Sequence, residues 1–289
     1  MKSQLIKNFK EQGSFVAVGD TQAFVYEKGK GEAVICFHGV PASSFLYRKV
    51  IDGLAENGFR GISFDILGLG LSDRPENYDY SWTSLGEWAY RLIKKLNVGK
   101  FHIILHDIGG PIGTEVISKL PEDVLSVTIL NTLLTNLGQF KKPFPMFLYE
   151  KKFIGEMLVA TSHPWVFQKL MHMRGVHRSE VFGMEEARAY VSSFMGNDGG
   201  KSFLKIMRSF EASSEKSELY IETLKSLQVP KQIIWGINDA GISLEKYGEP
   251  LKEAIGVHEI IQTEGSHFLQ EDYPDIIVKH LSRLVKSKA

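Results

Sequence analysis

The sequence predicts an α/β fold, a mainly parallel sheet flanked by helices with a helical cap inserted. Short β-rich runs alternate with longer helical patterns through most of the chain, the rhythm of parallel strands joined by covering helices. That rhythm breaks from about Leu137 to about Ser226, where helical periods take over. At 289 residues the chain is long for one simple domain and short for two independent ones, which suits a core carrying one substantial insertion.

In chain order, strands are expected at 14–18, 23–27, 33–37, 61–65, 101–106, 126–131, 232–235 and 258–262, the first two as an antiparallel hairpin. Amphipathic helices are expected at 82–96 and 276–284, the second with apolar residues at Ile276, Ile277, Leu281 and Leu284. The insertion is dense in aromatic residues, among them Phe140, Phe144, Phe147, Tyr149, Phe153, Trp165 and Phe167. Residues 141–145, rich in lysine and proline, mark its entrance, and 197–200 mark a turn within it. The expected division is therefore a core of 1–136 and 226–289 with a cap, or lid, of 137–225.

Hydrophobic residues make up 43% of the chain, enough for a large core. Lys plus Arg equals Asp plus Glu at 34 each, so no global field recruits nucleic acid or acidic lipid. The single cysteine, Cys36, lies in an apolar run that reads as a buried strand, which excludes an internal disulfide and argues against a thiol nucleophile. The N-terminal residues lack the apolar stretch of a secretory signal, and nothing approaches the length of a membrane span. A soluble cytoplasmic protein is expected, with no membrane partner. His102, His106, His163, His172 and His177 have no ligand spacing with cysteine or carboxylate companions, so no metal site is expected. The glycines of 64–73 follow a strand without the full phosphate-binding pattern and read as a tight turn.

The chemistry lies at strand ends. Leu105-His-Asp-Ile-Gly-Gly110 runs from a strand into a helical pattern, the setting of a sharp strand-to-helix turn whose small neighbours leave its central residue exposed to substrate. That residue is Asp107; its alternative role is to cap the helix beginning at Gly109. His38-Gly-Val-Pro41 ends an earlier strand and could supply the Val40 N–H, beside that of Ile108, to an oxyanion. Trp235-Gly-Ile-Asn-Asp239 ends a later strand with an acid, and His267 follows the last. Nucleophile, acid, histidine is the order of the α/β hydrolases.

From about Ser14 onward the chain resembles the α/β-hydrolase superfamily, and within it the haloalkane dehalogenases, with epoxide hydrolases next. Residues 38–49, 64–75, 105–110 and 131–135 carry the likeness, and Asp239 stands where one dehalogenase subgroup keeps its acid. The resemblance implies Asp107 as nucleophile, His267 as base and Asp239 as its orienting acid. Two positions depart from the dehalogenase pattern: Ile108 stands where an indole N–H usually binds the departing halide, and Val40 where many members carry Asn or Glu. Neither offers a side-chain donor, so a dehalogenase would need cap donors such as Trp165 or His163. An epoxide hydrolase would need cap tyrosines, for which Tyr149, Tyr190 and Tyr220 are available.

The expected reaction is attack by Asp107 on a saturated carbon of a small apolar organic substrate, forming an alkyl ester that water, activated by His267, hydrolyses. It needs no cofactor. The expected activity is conversion of alkyl halides to alcohol and halide, with epoxide hydrolysis as the alternative and a non-catalytic binding protein as a further one.

Overall fold

Five consecutive buried residues, Ala33–Phe37, have no face to offer water, so helices must cover both sides of the strand they form. A computed structural model, describing residues 3–286, shows this arrangement across an eight-stranded sheet. The strands are β1 Ser14–Val18, β2 Thr21–Lys28, β3 Ala33–Phe37, β4 Arg60–Phe64, β5 Phe101–Asp107, β6 Val124–Thr132, β7 Lys231–Gly236 and β8 Ile260–Thr263. Their order is β1-β2-β4-β3-β5-β6-β7-β8. The β1–β2 hairpin and the β2–β4 pair are antiparallel, and every other pairing is parallel.

Alternation along the strands divides the interior in two. Ile35, Phe37, Ile103 and Leu105 face helices Trp82–Leu96 and Gly109–Lys119, while Val34, Cys36 and Ile104 face helices Arg48–Glu56 and Pro274–Lys286. The C-terminal helix starts two residues before its first expected apolar position because Pro274 suits a first helical turn, where its missing N–H has no partner to lose. The last strand begins at Ile260 rather than 258, since His258 and Glu259 are exposed and have no pairing partner in β7. A short N-terminal helix, Gln4–Glu11, lay outside the expected elements; its one buried residue, Phe9, packs on Phe24, Tyr26 and Phe45.

Between β6 and β7 every described element is helical. The insertion is tied to the core by Arg74, on the loop after β4, which donates to the Ser193 and Phe194 carbonyls and pairs with Asp198 at 3.1 Å. Its last helix, Ser214–Ser226, lies on the core helix Gly109–Lys119, where Lys216 and Tyr220 reach Glu115 at 2.6 and 3.1 Å. The insertion thus returns to the core through that helix.

Candidate active site

β5 ends on Asp107, whose φ of +50° is rare outside glycine, and the helix Gly109–Lys119 starts two residues later. The turn is possible only with small neighbours. A Cβ on Gly109 would meet the Phe37 and His38 carbonyls at 2.6–2.7 Å, and one on Gly110 would lie 1.9 Å from the Thr132 hydroxyl. Asp107 does not cap the helix: the N-cap residue is Ile108, with no side-chain hydrogen bond. The aspartate carboxylate is instead turned toward the loop after β3, where the Val40 N–H donates to its Oδ1 at 2.7 Å. Gly39 is required there, because a Cβ would sit 2.0 Å from that oxygen.

His38 holds this loop. The Ile66 N–H donates to its Nε2 at 3.0 Å, which places the ring proton on Nδ1, directed at the Gly39 carbonyl at 2.9 Å. Burial lowers its pKa to about 4, so the ring is neutral and serves as a brace.

His267 stands between the two aspartates. Its Nδ1 is 2.7 Å from Asp239 Oδ2, and its Nε2 is 3.6 Å from Asp107 Oδ2. Asp239 is fixed in turn by the Gly241 and Ile242 N–H groups at 2.8 and 2.9 Å on Oδ1, and by Asn131 Nδ2 at 3.0 Å on Oδ2. Asn131 also bridges to the backbone of Gly236, accepting from its N–H at 2.8 Å. The His106 ring, 4.7 Å from that of His267, donates through Nε2 to the His267 carbonyl at 2.9 Å.

Electrostatics assign the protons. Burial works against an imidazolium at His267, but the Asp239 carboxylate, and then Asp107, outweigh it and hold the group above the usual histidine range. Burial likewise disfavours the Asp239 charge, yet His267 and the Ile242 and Gly241 N–H groups bring that carboxyl below its ordinary range. At Asp107 burial wins, and the carboxyl is raised despite His267 and the Ile108 and Val40 N–H groups. Chemically, this is a carboxylate with one oxygen held by the Val40 N–H and the other facing a carboxylate-oriented histidine.

Asp107 and His267 open onto a cavity of about 150 Å³ whose wall is mostly apolar, including Leu133, Phe140, Phe167, Phe194, Phe203 and Met207. A space of that size in an apolar interior accepts a benzene-sized molecule. Of the three cap residues expected to bind substrate, Tyr149 lines this cavity, packing on Phe203, and among the described residues no hydrogen bond engages its hydroxyl. Trp165 and His163 are not on the wall: Trp165 is exposed beneath Lys169, and His163 accepts from the Trp165 N–H to cap its own helix. Tyr190 and Tyr220 are also elsewhere, bound to the buried Glu271 and Glu115. The aromatic wall from Phe194, Phe203 and Phe210 had no distinguishing signal in the sequence, since Phe194 and Phe203 sit in ordinary helical apolar periods and Phe210 in the loop that follows.

The sequence profile of the alpha/beta hydrolase fold matches residues 32–272. The chain belongs to that family. As an α/β hydrolase it is similar to a cis-3-alkyl-4-alkyloxetan-2-one decarboxylase of Shewanella oneidensis, at 28% identity over 94% of this chain and 87% of the relative. It is similar to epoxide hydrolase 1 of Caenorhabditis elegans at 26% identity over 87% of this chain and 64% of the relative. Haloalkane dehalogenase 2 of Mycobacterium bovis is 25% identical over 87% of each chain.

Proposed function

We propose that this α/β hydrolase acts through Asp107 as a carbon-directed nucleophile, opening a strained oxygen ring on an apolar substrate, with the inserted residues 137–213 serving as the cap over the site. The observation that carries the reading is a carboxylate at the strand-to-helix turn, facing both the His267–Asp239 pair and the cavity. A carboxylate suits displacement at saturated carbon because no proton has to leave it first. Asp107 Oδ2, the oxygen nearer His267, attacks; the carbon–oxygen bond of the ring breaks, and an alkyl ester of Asp107 results. His267 then takes a proton from water, the hydroxide adds to the ester carbonyl carbon, and the Val40 and Ile108 N–H groups hold the oxyanion. Collapse releases the alcohol and restores the carboxylate.

The leaving group selects the substrate class. A departing halide needs N–H donors held close to the nucleophile. Ile108 and Val40 have none in their side chains, and the described cavity wall contains neither tryptophan nor asparagine. A strained ring carries its leaving oxygen with it and needs at most one proton, which the unengaged Tyr149 hydroxyl can supply. Burial raises the pKa of that phenol, so it is protonated at neutral pH. Epoxides and, after the Shewanella relative, alkyl oxetan-2-ones are the proposed substrates. Alkyl halide hydrolysis is the second reading, favoured by Lys142 and Arg174 on the wall and by the dehalogenase relative.

A panel of alkyl epoxides, alkyl oxetan-2-ones and bromoalkanes, assayed for diol, for 3-hydroxy acid, and for bromide, separates these readings. With the accepted substrate, His267→Gln should accumulate protein heavier by the whole ring-opened substrate, or by the alkyl group of a bromoalkane, on the peptide containing Asp107, while Asp107→Asn gives neither adduct nor turnover. No turnover and no adduct across the panel would remove the enzymatic reading.

A further inference from the structure

Formal charge sums to zero over the chain but is unevenly spread along it. Between Leu137 and Arg178 stand seven basic residues, Lys141, Lys142, Lys151, Lys152, Lys169, Arg174 and Arg178, against the two acids Glu150 and Glu156. Both acids are already paired, with Lys142 and Arg208. Among the described residues no ion pair engages Lys141, Lys151, Lys152, Lys169 or Arg174. The same segment holds eight of the eleven large apolar side chains that are exposed among the described residues. Phe153 is 85% exposed, Met173 74% and Met157 57%. Such a concentration is not the scatter expected of an ordinary surface.

The backbone presents these groups outward. Phe153 has φ +66°, a conformation that persists in a bulky residue only where the surrounding structure enforces it, and its ring projects into solvent just before helix Ile154–Ala160. Trp165, Lys169 and Met173 recur every four residues, with the Lys169 ammonium 4.0 Å over the Trp165 ring. Phe144 and Arg174 are exposed and also line the cavity, so its mouth lies at this face.

We infer that this face docks on the surface of an anionic lipid bilayer. Exposed aromatic and methionine side chains interleaved with unpaired lysines match a headgroup layer that is apolar below and negatively charged above. A second copy of the chain is a poor occupant, because a two-fold contact would set the basic groups against one another. The cavity mouth at the same face gives an apolar substrate a path from the bilayer; that path rests on the active-site reading, whereas the docking does not.

Trp165 is the exposed one of the four tryptophans, so intrinsic fluorescence reports on this face. The full chain should float with vesicles of phosphatidylcholine containing one-third phosphatidylglycerol, with a blue shift in emission, and float weakly with phosphatidylcholine alone or at high salt. Trp165→Phe should abolish the shift. Lys151→Glu with Lys152→Glu should weaken binding by at least about tenfold, since each basic residue near an anionic surface contributes about fivefold. Phe153→Ser with Met157→Ser should weaken it as well, with thermal midpoints unchanged because all four sites are exposed. Absence of flotation, or equal flotation of the charge-reversed variant, overturns the inference. So does a lipid-free dimer that the Phe153→Ser, Met157→Ser variant dissociates while vesicle binding is absent.

Discussion

The state of His267 is set by two carboxylates, of which the proposed chemistry consumes one. While Asp107 is ionised, both it and Asp239 hold the imidazole above its usual range. Once Asp107 becomes a neutral ester, its attraction vanishes, the pKa of His267 falls, and the ring becomes a free base when water must be activated. The sign can be read directly: Asp107→Asn should lower the His267 pKa, followed by NMR of the imidazole, because it removes a negative neighbour and adds none. A pKa that stays or rises would mean that Asp107 does not face His267 as a charge. The same logic makes hydrolysis of the ester slow at acid pH, where His267 is protonated, and faster as pH rises through its pKa. That Asp107, His267 and Asp239 come together was legible in the sequence because each closes a motif at a strand end. Trp165 and His163 were misplaced for a physical reason: nothing in a helical aromatic pattern says which face of a cap helix turns inward.

Elements carry the site by fixing loops that side chains alone would not hold. The segment after His267 returns to the core through Glu271, which is fully buried and paired with Arg48 in a two-pronged contact and with Lys49 at 2.8 Å. Burial opposes its charge, but Arg48 and then Lys49 bring the carboxyl below its ordinary range. Arg48→Ala leaves a buried carboxylate short of its main partner, and breaking such a pair costs about 3–5 kcal/mol. Denaturant unfolding should show a loss of that order. A loss under about 1 kcal/mol would mean that Lys49 and the Tyr190 hydroxyl suffice, as in a solvent-screened surface pair. Strand positions were legible from apolar runs such as Ala33–Phe37, buried on both faces. The helix Gln4–Glu11 was not, because a single buried side chain, Phe9, anchors a polar segment whose partners are distant in sequence.

At the scale of the whole molecule, side chains join the proposed cap to the core. Arg74 joins core to insertion through Asp198 and two carbonyls, one of them from Phe194 on the cavity wall. Arg74→Ala should therefore raise KM for an apolar substrate and speed limited proteolysis within 137–213, with the core fragment surviving. Uniform loss of the whole chain would show that insertion and core unfold as one unit. The break in strand-helix rhythm announced the insertion, but not that helix Ser214–Ser226 belongs with the core, since a helix's apolar period does not name its partner. Zero net charge was equally silent about the basic, apolar face of the cap. The central claim, that Asp107 bonds to substrate carbon, is tested most directly by a single turnover of the native protein in ¹⁸O-water. Attack of water on the Asp107 ester predicts label in the Asp107 carboxylate and none in the alcohol product. Label in the alcohol alone would mean that water attacks substrate directly and that Asp107 is a base, which contradicts the account.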